Sequence, residues 1–401
     1  MLRKLTQVLV EQGLFSVSNF LISILMVKVI GGEKLFPEYF LAFSAGLIVF
    51  GLIKSGFFIS YTVDLAKTTS KEKKRIKNTI AIHVISVCSI TILILSFVFV
   101  LLFLDWKSVE SLYSVFFIST FIYREGYRSV LQSNMLYREM IFSAVFSQLI
   151  LLIFIIYIWY ISSLEDIVLI LSTANLFSVI FMRFMLKNYI SHDIKPLSEV
   201  VSYCRYIYLS SKWYLAESLI IATSTGLTPW VVVAMLDRKS LLIYGVITMV
   251  GSILQPLVRG YSSFILPYLS HLTEGNRMSQ IWKTFWPMSI INILFLFMWY
   301  IYGDDILKIL YGDQYGEYSM LVILIIMTHY TSIISSGVTA GIQSINKSKY
   351  IARSQLVGFV LFYILTIPLM YYFHLVGLLT GILITSVFIT IYRYRNLSNR
   401  F

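Results

Sequence analysis

The sequence predicts an all-α integral membrane protein with about twelve transmembrane helices. Composition carries this prediction. Of the 401 residues, 58% are hydrophobic and only 13% are charged, and the mean hydropathy is +0.80. A soluble domain is about half apolar and a quarter charged. This chain therefore has too few polar residues to cover a surface that faces water.

Long apolar runs give the individual spans, since one bilayer crossing takes about 20 apolar helical residues. The first run follows Arg3 and Lys4. It is longer than the apolar region of a signal peptide and no small-residue cleavage site follows it, so we interpret it as a retained span. In the eighth run, Pro256, Gly260 and Pro267 predict a bend. The predicted spans cover residues 12–30, 39–63, 79–104, 111–134, 140–162, 167–187, 213–235, 241–270, 283–302, 319–343, 351–373 and 375–394.

Basic residues indicate the orientation of these spans, because Lys and Arg accumulate on the cytoplasmic side of membrane proteins. With the N-terminus inside, the inside segments hold 22 basic residues and the outside segments hold five. Both termini are therefore predicted to be cytoplasmic. The basic run "KTTSKEKKRIK" (67–77) is interpreted as a topology anchor beside anionic lipid. No nucleic-acid partner is expected.

The chain divides into two halves of six spans. The longest connector, Asn188–Lys212, separates them, and we predict an N-terminal six-helix bundle over 1–195 and a C-terminal one over 196–401. The segment "GLIVFGLIKSGFF" aligns with "GSILQPLVRGYSS", which places Lys54 opposite Arg259, and "LQSNMLYRE" aligns with "IQSINKSKY". These matches favour parallel repeats related by an axis along the membrane normal. Chance similarity among apolar helices is the alternative.

The segment "FIYREGYRSV" (121–130) places three charges inside an apolar run. Arg124 and Arg128 are four residues apart, so they share one helix face, and Glu125 points about a quarter turn away. A charge at the centre of a membrane helix costs about 2.5–3.5 kcal/mol on insertion scales. These side chains are therefore expected to face the bundle interior or a water-filled cavity.

Other deep charges extend this pattern. Lys54 in span two and Arg259 in span eight are cations, and Glu217 in span seven is an anion. Together with the two arginines, four deep cations face two deep anions, Glu125 and Glu217. This excess predicts a cationic cavity for an anionic cargo, since Arg matches phosphate through bidentate bonds. The alternative is structural: an arginine pairs with one of the two glutamates and holds helices together. The glutamates are also candidates for proton or sodium coupling.

Motifs for catalysis and metal binding are missing from the sequence. It contains no G-x-x-x-x-G-K-[ST] loop for ATP hydrolysis and no H-E-x-x-H zinc motif. Cys88 and Cys204 lie far apart and form neither a disulfide framework nor a zinc spacing. No external segment is large enough for polymerase or glycosyltransferase chemistry. We therefore expect a transporter with no catalytic residues, no metal and no cofactor.

Twelve spans in two halves, about 400 residues, a high Phe, Tyr and Ile content and deep basic residues resemble the polysaccharide transporters of the multidrug/oligosaccharidyl-lipid/polysaccharide exporter (MOP, MATE-like) superfamily. Within it, the chain looks like the bacterial O-antigen flippases of the Wzx type. The resemblance covers the whole chain. Its most suggestive local match is "GIQSINKSKYIA" at the end of span ten, with a weaker copy, "VLQSNMLYREMI", at the end of span four.

This resemblance implies a V-shaped pair of bundles around a central cavity. Such proteins move an undecaprenyl-pyrophosphate-linked oligosaccharide, the repeat unit of O-antigen or a similar polysaccharide, across the bacterial inner membrane by alternating access. Their cavities are typically cationic, which implies substrate contacts at Lys54, Arg124, Arg128 and Arg259. The implied partners are the lipid-linked oligosaccharide, membrane lipid, a polysaccharide polymerase and a chain-length regulator, with the chain itself a monomer.

Two competing functions stay open. A multidrug or cation exporter of the same superfamily would be expected to carry deep carboxylates, often in span one, but "LFSVSNFLISILMVKVI" has none. A membrane-embedded O-antigen polymerase would be expected to have a large outward loop. A lipid II flippase usually has two more spans than the twelve predicted here.

Overall fold

The computed structural model describes residues 2–24, 26–27, 35–103, 109–158, 164–191, 196–270, 274–344 and 348–398. Within these ranges the regular elements are α-helices with short π-helical and 3-10 turns, and no strand occurs. The prediction of an all-α chain is confirmed.

Fifteen α-helices follow one another along the described ranges. They are α1 (Leu2–Ile24), α2 (Leu35–Ile53), α3 (Ile59–Lys67), α4 (Lys71–Phe103), α5 (Val109–Ser133), α6 (Tyr137–Ile158), α7 (Leu164–Met185), α8 (Leu197–Ile221), α9 (Thr228–Met235), α10 (Arg238–Gly251), α11 (Gln255–Ser270), α12 (Glu274–Tyr311), α13 (Ser319–Ser344), α14 (Ser348–Leu361) and α15 (Ile367–Ser398). Three π-helical turns join α2 to α3, α8 to the segment before α9, and α14 to α15; they are Lys54–Phe58, Ala222–Gly226 and Phe362–Thr366.

Eight stretches of the described helices are long and apolar enough to cross a membrane. One of them, Lys349–Leu397, has 49 residues and contains two of the predicted spans. These stretches support a multi-pass membrane protein. The total of twelve spans stays a prediction, and the end of the first predicted span, 12–30, lies outside the described residues.

Two predicted interruptions of the apolar runs have counterparts in the backbone. Helix α10 ends at Gly251, and a 3-10 turn, Ser252–Leu254, separates it from α11. Pro256 explains this break, because its ring clashes with the carbonyl four residues earlier, that of Ser252. A second break lies inside α15 at His374, where φ is 50° and ψ is −131°. His374 falls between the eleventh and twelfth predicted spans.

Contacts divide the chain into two units. We call Glu38–Ser218 the continuous unit, and Met1–Pro37 together with Leu219–Phe401 the split unit. Helix α1 thus groups with the second part of the chain, and most of α8 groups with the first. The six-helix bundles over 1–195 and 196–401 stay a prediction.

In the continuous unit, α5 packs against both α4 and α7. The contact with α4 is close at Gly126, where an added Cβ would lie 2.0 Å from Cγ1 of Ile85. A side chain there would push α5 away from α4. Around this contact lies a core that includes the fully buried Tyr61, Ile85, Ile122 and Tyr127. The charged segment of α5 thus lies on a helix that packs closely against α4 and α7.

In the split unit, α13 is the central helix and contacts α11, α12 and α15. A core that includes Tyr261, Phe285, Ile333 and Leu397 joins these helices. The opposite side of α13 carries small polar side chains instead of apolar ones. That side lines the cavity described below.

Candidate functional site

The charges of α5 form one connected cluster. The Glu125 carboxylate accepts a hydrogen bond from Arg124 Nη2 at 2.8 Å on one oxygen and from Arg128 Nη1 at 2.9 Å on the other. Arg124 Nη1 donates to Oδ1 of Asn175 on α7 at 2.8 Å. The three charged side chains are only 10–14% exposed. Helical spacing placed Glu125 a quarter turn from the arginines, but the long guanidinium side chains reach across that angle.

This cluster bears on both sequence interpretations of the deep charges. The pairing of Glu125 with both arginines fits the structural alternative, because one carboxylate orients two guanidinium groups. Formally, however, two cations and one anion leave a net charge of +1. Arg124 also lies over the ring of Phe121, with its Cζ 5.2 Å from the ring centroid. The cluster is thus a preorganised, positively charged group of the kind that suits an oxyanion.

Lys54 and Glu217 lie where α8 meets the π-helical turn Lys54–Phe58. The hydroxyl groups of Ser55 and Ser218 are hydrogen-bonded to each other, and an added Cβ on Gly56 would lie 3.5 Å from Leu215 of α8. Each charged residue directly precedes one of the two serines. Lys54 is exposed and Glu217 is half-buried. π-helical turns inside helices are frequent at functional sites.

Arg259 lies on α11 in the split unit, where it is exposed. Its carbonyl oxygen accepts a hydrogen bond from the Ser262 hydroxyl at 2.9 Å. The other predicted site residues all lie in the continuous unit. A single cavity lined by Lys54, Arg124, Arg128 and Arg259 therefore stays a prediction.

A buried arginine that the sequence did not single out lies in the split unit. Arg393 on α15 is 7% exposed. Its Nε donates to the Ser354 hydroxyl at 2.7 Å, its Nη1 to the Thr339 hydroxyl at 2.9 Å, and its Nη2 to Oε1 of Gln355 at 2.9 Å. Side chains of α13 and α14 thus hold the guanidinium group in place. From the sequence, Arg393 counted only as one of the cytoplasmic topology residues.

Arg393 borders a cavity of about 410 Å³ inside the split unit. This volume is in the range of small-molecule sites. Among the lining residues that the structure describes, Arg393 is the one cation and no carboxylate occurs. Nine lining side chains carry a hydroxyl and two carry an amide: Ser224, Ser262, Thr328, Ser332, Ser335, Ser336, Thr339, Thr385, Ser386, Gln343 and Gln355.

A sequence signal for this cavity does exist. Within the apolar helix α13, polar residues recur at Thr328, Ser332, Ser336, Thr339 and Gln343. Spacings of three and four place them on one helix face. Hydropathy alone does not reveal this face, because Ser and Thr lower the mean hydropathy of an apolar run only slightly.

No protein-family model and no curated protein matches the chain, but solved structures of transporters do. An inward-facing multidrug resistance MATE family transporter of the MOP superfamily is 10% identical, with a TM-score of 0.69 over 95% of this chain and 94% of that one. A MATE transporter in the straight conformation is 11% identical, with a TM-score of 0.69 over 99% and 95%. The MATE transporter ClbM in complex with Rb⁺ is 15% identical, with a TM-score of 0.59 over 98% and 94%. The chain has the MATE fold.

The likeness in fold to MATE transporters agrees with the coarser part of the resemblance seen in the sequence. The expectation of a transporter rather than an enzyme agrees with it, because each of these solved structures is a transporter. At identities of 10–15%, the likeness shows the fold alone. What the protein transports has to be inferred from the chemistry of its own residues.

Proposed function

We propose that this protein is a flippase that moves a lipid-linked oligosaccharide across the bacterial inner membrane by alternating access. The substrate is an undecaprenyl-pyrophosphate-linked repeat unit of O-antigen or a similar polysaccharide. The observation that carries the proposal is the hydroxyl-lined cavity beside Arg393. Support also comes from the MATE fold and from the arginine cluster of α5.

The cavity chemistry suits a sugar. Serine and threonine hydroxyls both donate and accept hydrogen bonds, as sugar hydroxyls do. Several of these side chains already donate to the backbone of their own helix: Thr328 to Leu324, Ser332 to Thr328 and Ser336 to Ser332, each at 2.8–2.9 Å. Such bonds lower the cost of polar groups in an apolar environment. Each hydroxyl oxygen keeps lone pairs that can accept a hydrogen bond from a ligand. The hydroxyls are therefore satisfied without a ligand and can still bind a polyol.

The charged ends of the substrate call for cations. A pyrophosphate carries several oxyanions, and Arg forms paired hydrogen bonds with such groups. We assign this contact to Arg124 and Arg128, with Lys54 and Arg259 adding positive charge. Because the Glu125 carboxylate is held by two arginines, the half-buried Glu217 is the better candidate for proton or sodium coupling. The lipid tail stays in the bilayer while the sugar passes through the protein.

The biological setting follows from this cargo. We place the protein in the inner membrane with both termini cytoplasmic, as a monomer. Its substrate is made on the cytoplasmic side, and its product serves a polysaccharide polymerase and a chain-length regulator on the other side.

Complementation tests the proposal. A strain that lacks its own flippase for a related repeat unit should regain surface polysaccharide when it expresses this protein. Lipid-linked intermediates that accumulate in the deletion strain should fall at the same time. Expression with normal membrane abundance, no surface polysaccharide and undiminished intermediates for every repeat unit tried would overturn the assignment.

A multidrug exporter is the second candidate, because one of the similar solved structures is a multidrug resistance transporter. This function predicts that expression lowers the susceptibility of an efflux-deficient strain to cationic drugs. The flippase proposal predicts no such change. Drug susceptibility and surface polysaccharide, measured in the same pair of strains, therefore separate the two functions.

A further inference from the structure

A second cavity, of about 540 Å³, lies in the continuous unit between α4, α5 and the end of α7. Three exposed basic side chains line it: His83 on α4, Arg183 on α7, and Lys187 in the 3-10 turn that follows α7. Among the lining residues of the described chain, no carboxylate occurs. The transport function proposed above uses none of these residues.

Tyr127 on α5 also borders the cavity. Its side chain is fully buried and lies close to Arg183. The polar contacts of a ligand would therefore come from the exposed side chains of His83, Arg183 and Lys187.

Apolar side chains from the same helix border the basic group. Ile180 is 65% exposed and Phe184 is 71% exposed, and both line the cavity. They belong to Val168–Met185, one of the stretches able to cross a membrane. Exposed apolar side chains on such a helix face acyl chains. The cavity thus combines a basic end with an apolar wall along the membrane.

We propose that this cavity binds the phosphate group of an anionic membrane lipid. Arg183 and Lys187 contact the phosphate oxygens, and an acyl chain lies along Ile180 and Phe184. Basic pockets between transmembrane helices on the cytoplasmic side are suited to anionic headgroups. The predicted topology places Arg183 and Lys187 on that side.

Lipid titration tests the site. The full-length protein is purified in a neutral detergent, delipidated, and titrated with phosphatidylglycerol, phosphatidylcholine or inorganic phosphate while bound lipid is counted by native mass spectrometry. We expect saturable binding of phosphatidylglycerol and much weaker binding of phosphatidylcholine. Because each basic residue near an anionic membrane contributes about 1 kcal/mol, the double change Arg183→Gln with Lys187→Gln should weaken binding about thirty-fold.

A matched control variant makes the test specific. Arg205→Gln with Lys212→Gln removes two exposed cations of α8 that do not line the cavity, and it should leave the affinity unchanged. Equal weakening by the α8 pair would overturn the site in favour of general surface charge. Inorganic phosphate that binds as tightly as phosphatidylglycerol would overturn the lipid as its ligand.

Discussion

Arg124 and Arg128 hold the two oxygens of one carboxylate, that of Glu125, at 2.8 and 2.9 Å. The charges that stood out in the apolar sequence of α5 are therefore one cluster with a net positive charge. Breaking a buried ion pair by removing one partner costs about 3–5 kcal/mol, because the remaining charge stays buried without compensation. This relationship gives the first two predictions.

Glu125→Gln should destabilise the protein strongly. The glutamine keeps the shape but leaves two guanidinium groups side by side without the anion between them. We expect a lower thermal midpoint in detergent and lower membrane abundance. Glu199→Gln, at an exposed position in the first turn of α8, is the matched control and should behave like the wild type. Equal thermal midpoints for Glu125→Gln and wild type would show that the carboxylate does not hold the cluster together.

Replacing the arginines separates charge from geometry. Losing a hydrogen bond to a charged group costs about 1.5–3 kcal/mol, or about one to two decades in affinity. Arg124→Ala and Arg128→Ala should therefore sharply reduce surface polysaccharide in the complementation strain. Arg→Lys at either position should retain part of the activity if charge dominates, but Arg124→Lys should lose the fork that holds both Glu125 and Asn175, because a lysine cannot reproduce it.

Membrane abundance is measured in parallel for these variants. Full complementation by Arg124→Ala with Arg128→Ala at normal abundance would exclude the cluster as a substrate contact. Loss of abundance in both Ala variants together with full activity per molecule would assign the arginines to structure alone.

A larger side chain in the hydroxyl-lined cavity is expected to block transport. Ser332 lies on the polar face of α13 and lines the cavity, so Ser332→Leu should fill part of it with an apolar side chain and abolish transport. Ser210→Leu makes the same change at an exposed position of α8 and should leave transport intact. Surface polysaccharide at equal membrane abundance is the measurement. Equal activity of the two variants would argue against passage of the sugar through this cavity.

The stability of the protein is expected to depend on pH through Asp237, the N-cap residue of α10. Its carboxylate accepts a hydrogen bond from the backbone N–H of Ser240 at 2.6 Å, which lowers its pKa below the usual value of 3.8. Because the folded-state pKa is lowered, the stabilisation is present above pH 3.8 and is lost as the pH falls through the folded-state value. Asp237→Asn caps the helix about equally well but does not titrate in this range.

Thermal midpoints of the wild type and Asp237→Asn should therefore diverge below about pH 4, with the wild type losing more of its stability. At neutral pH, Asp237→Ala should cost about 0.5–2 kcal/mol, the usual cost of losing an N-cap. Parallel pH profiles for the wild type and Asp237→Asn would exclude a stabilising role for the ionised cap.

Cysteine labelling tests the predicted orientation. Ser70→Cys should be labelled only from the cytoplasmic side and Asp305→Cys only from outside, because both positions are exposed and lie on opposite sides of the predicted map. The two native cysteines, Cys88 and Cys204, are free and half-buried, so they are first replaced by Ser. Labelling of Ser70→Cys by an impermeant reagent in intact cells would overturn the map of spans.

The sequence by itself determined the all-α class and one of the places where a long helix breaks. Pro256 interrupts a helix because it lacks an N–H and collides with the preceding turn, and this effect is local. The burial of Arg124, Glu125 and Arg128 was readable for a similar reason, since charges in an apolar run are expected to face the bundle interior.

Only the tertiary structure decided which of the open pairings form. Glu125 bridges two arginines because flexible side chains on a packed helix settle where hydrogen bonds are satisfied, and Asn175 enters from another helix, 51 residues along the chain. The same holds for Arg393, whose partners come from α13 and α14. Contacts between distant segments depend on how helices pack, and the periodicity of one helix does not indicate which helix lies beside it. The sequence therefore predicted the burial of these charges and, as one alternative, their pairing with Glu125, whereas packing placed the partners that come from other helices.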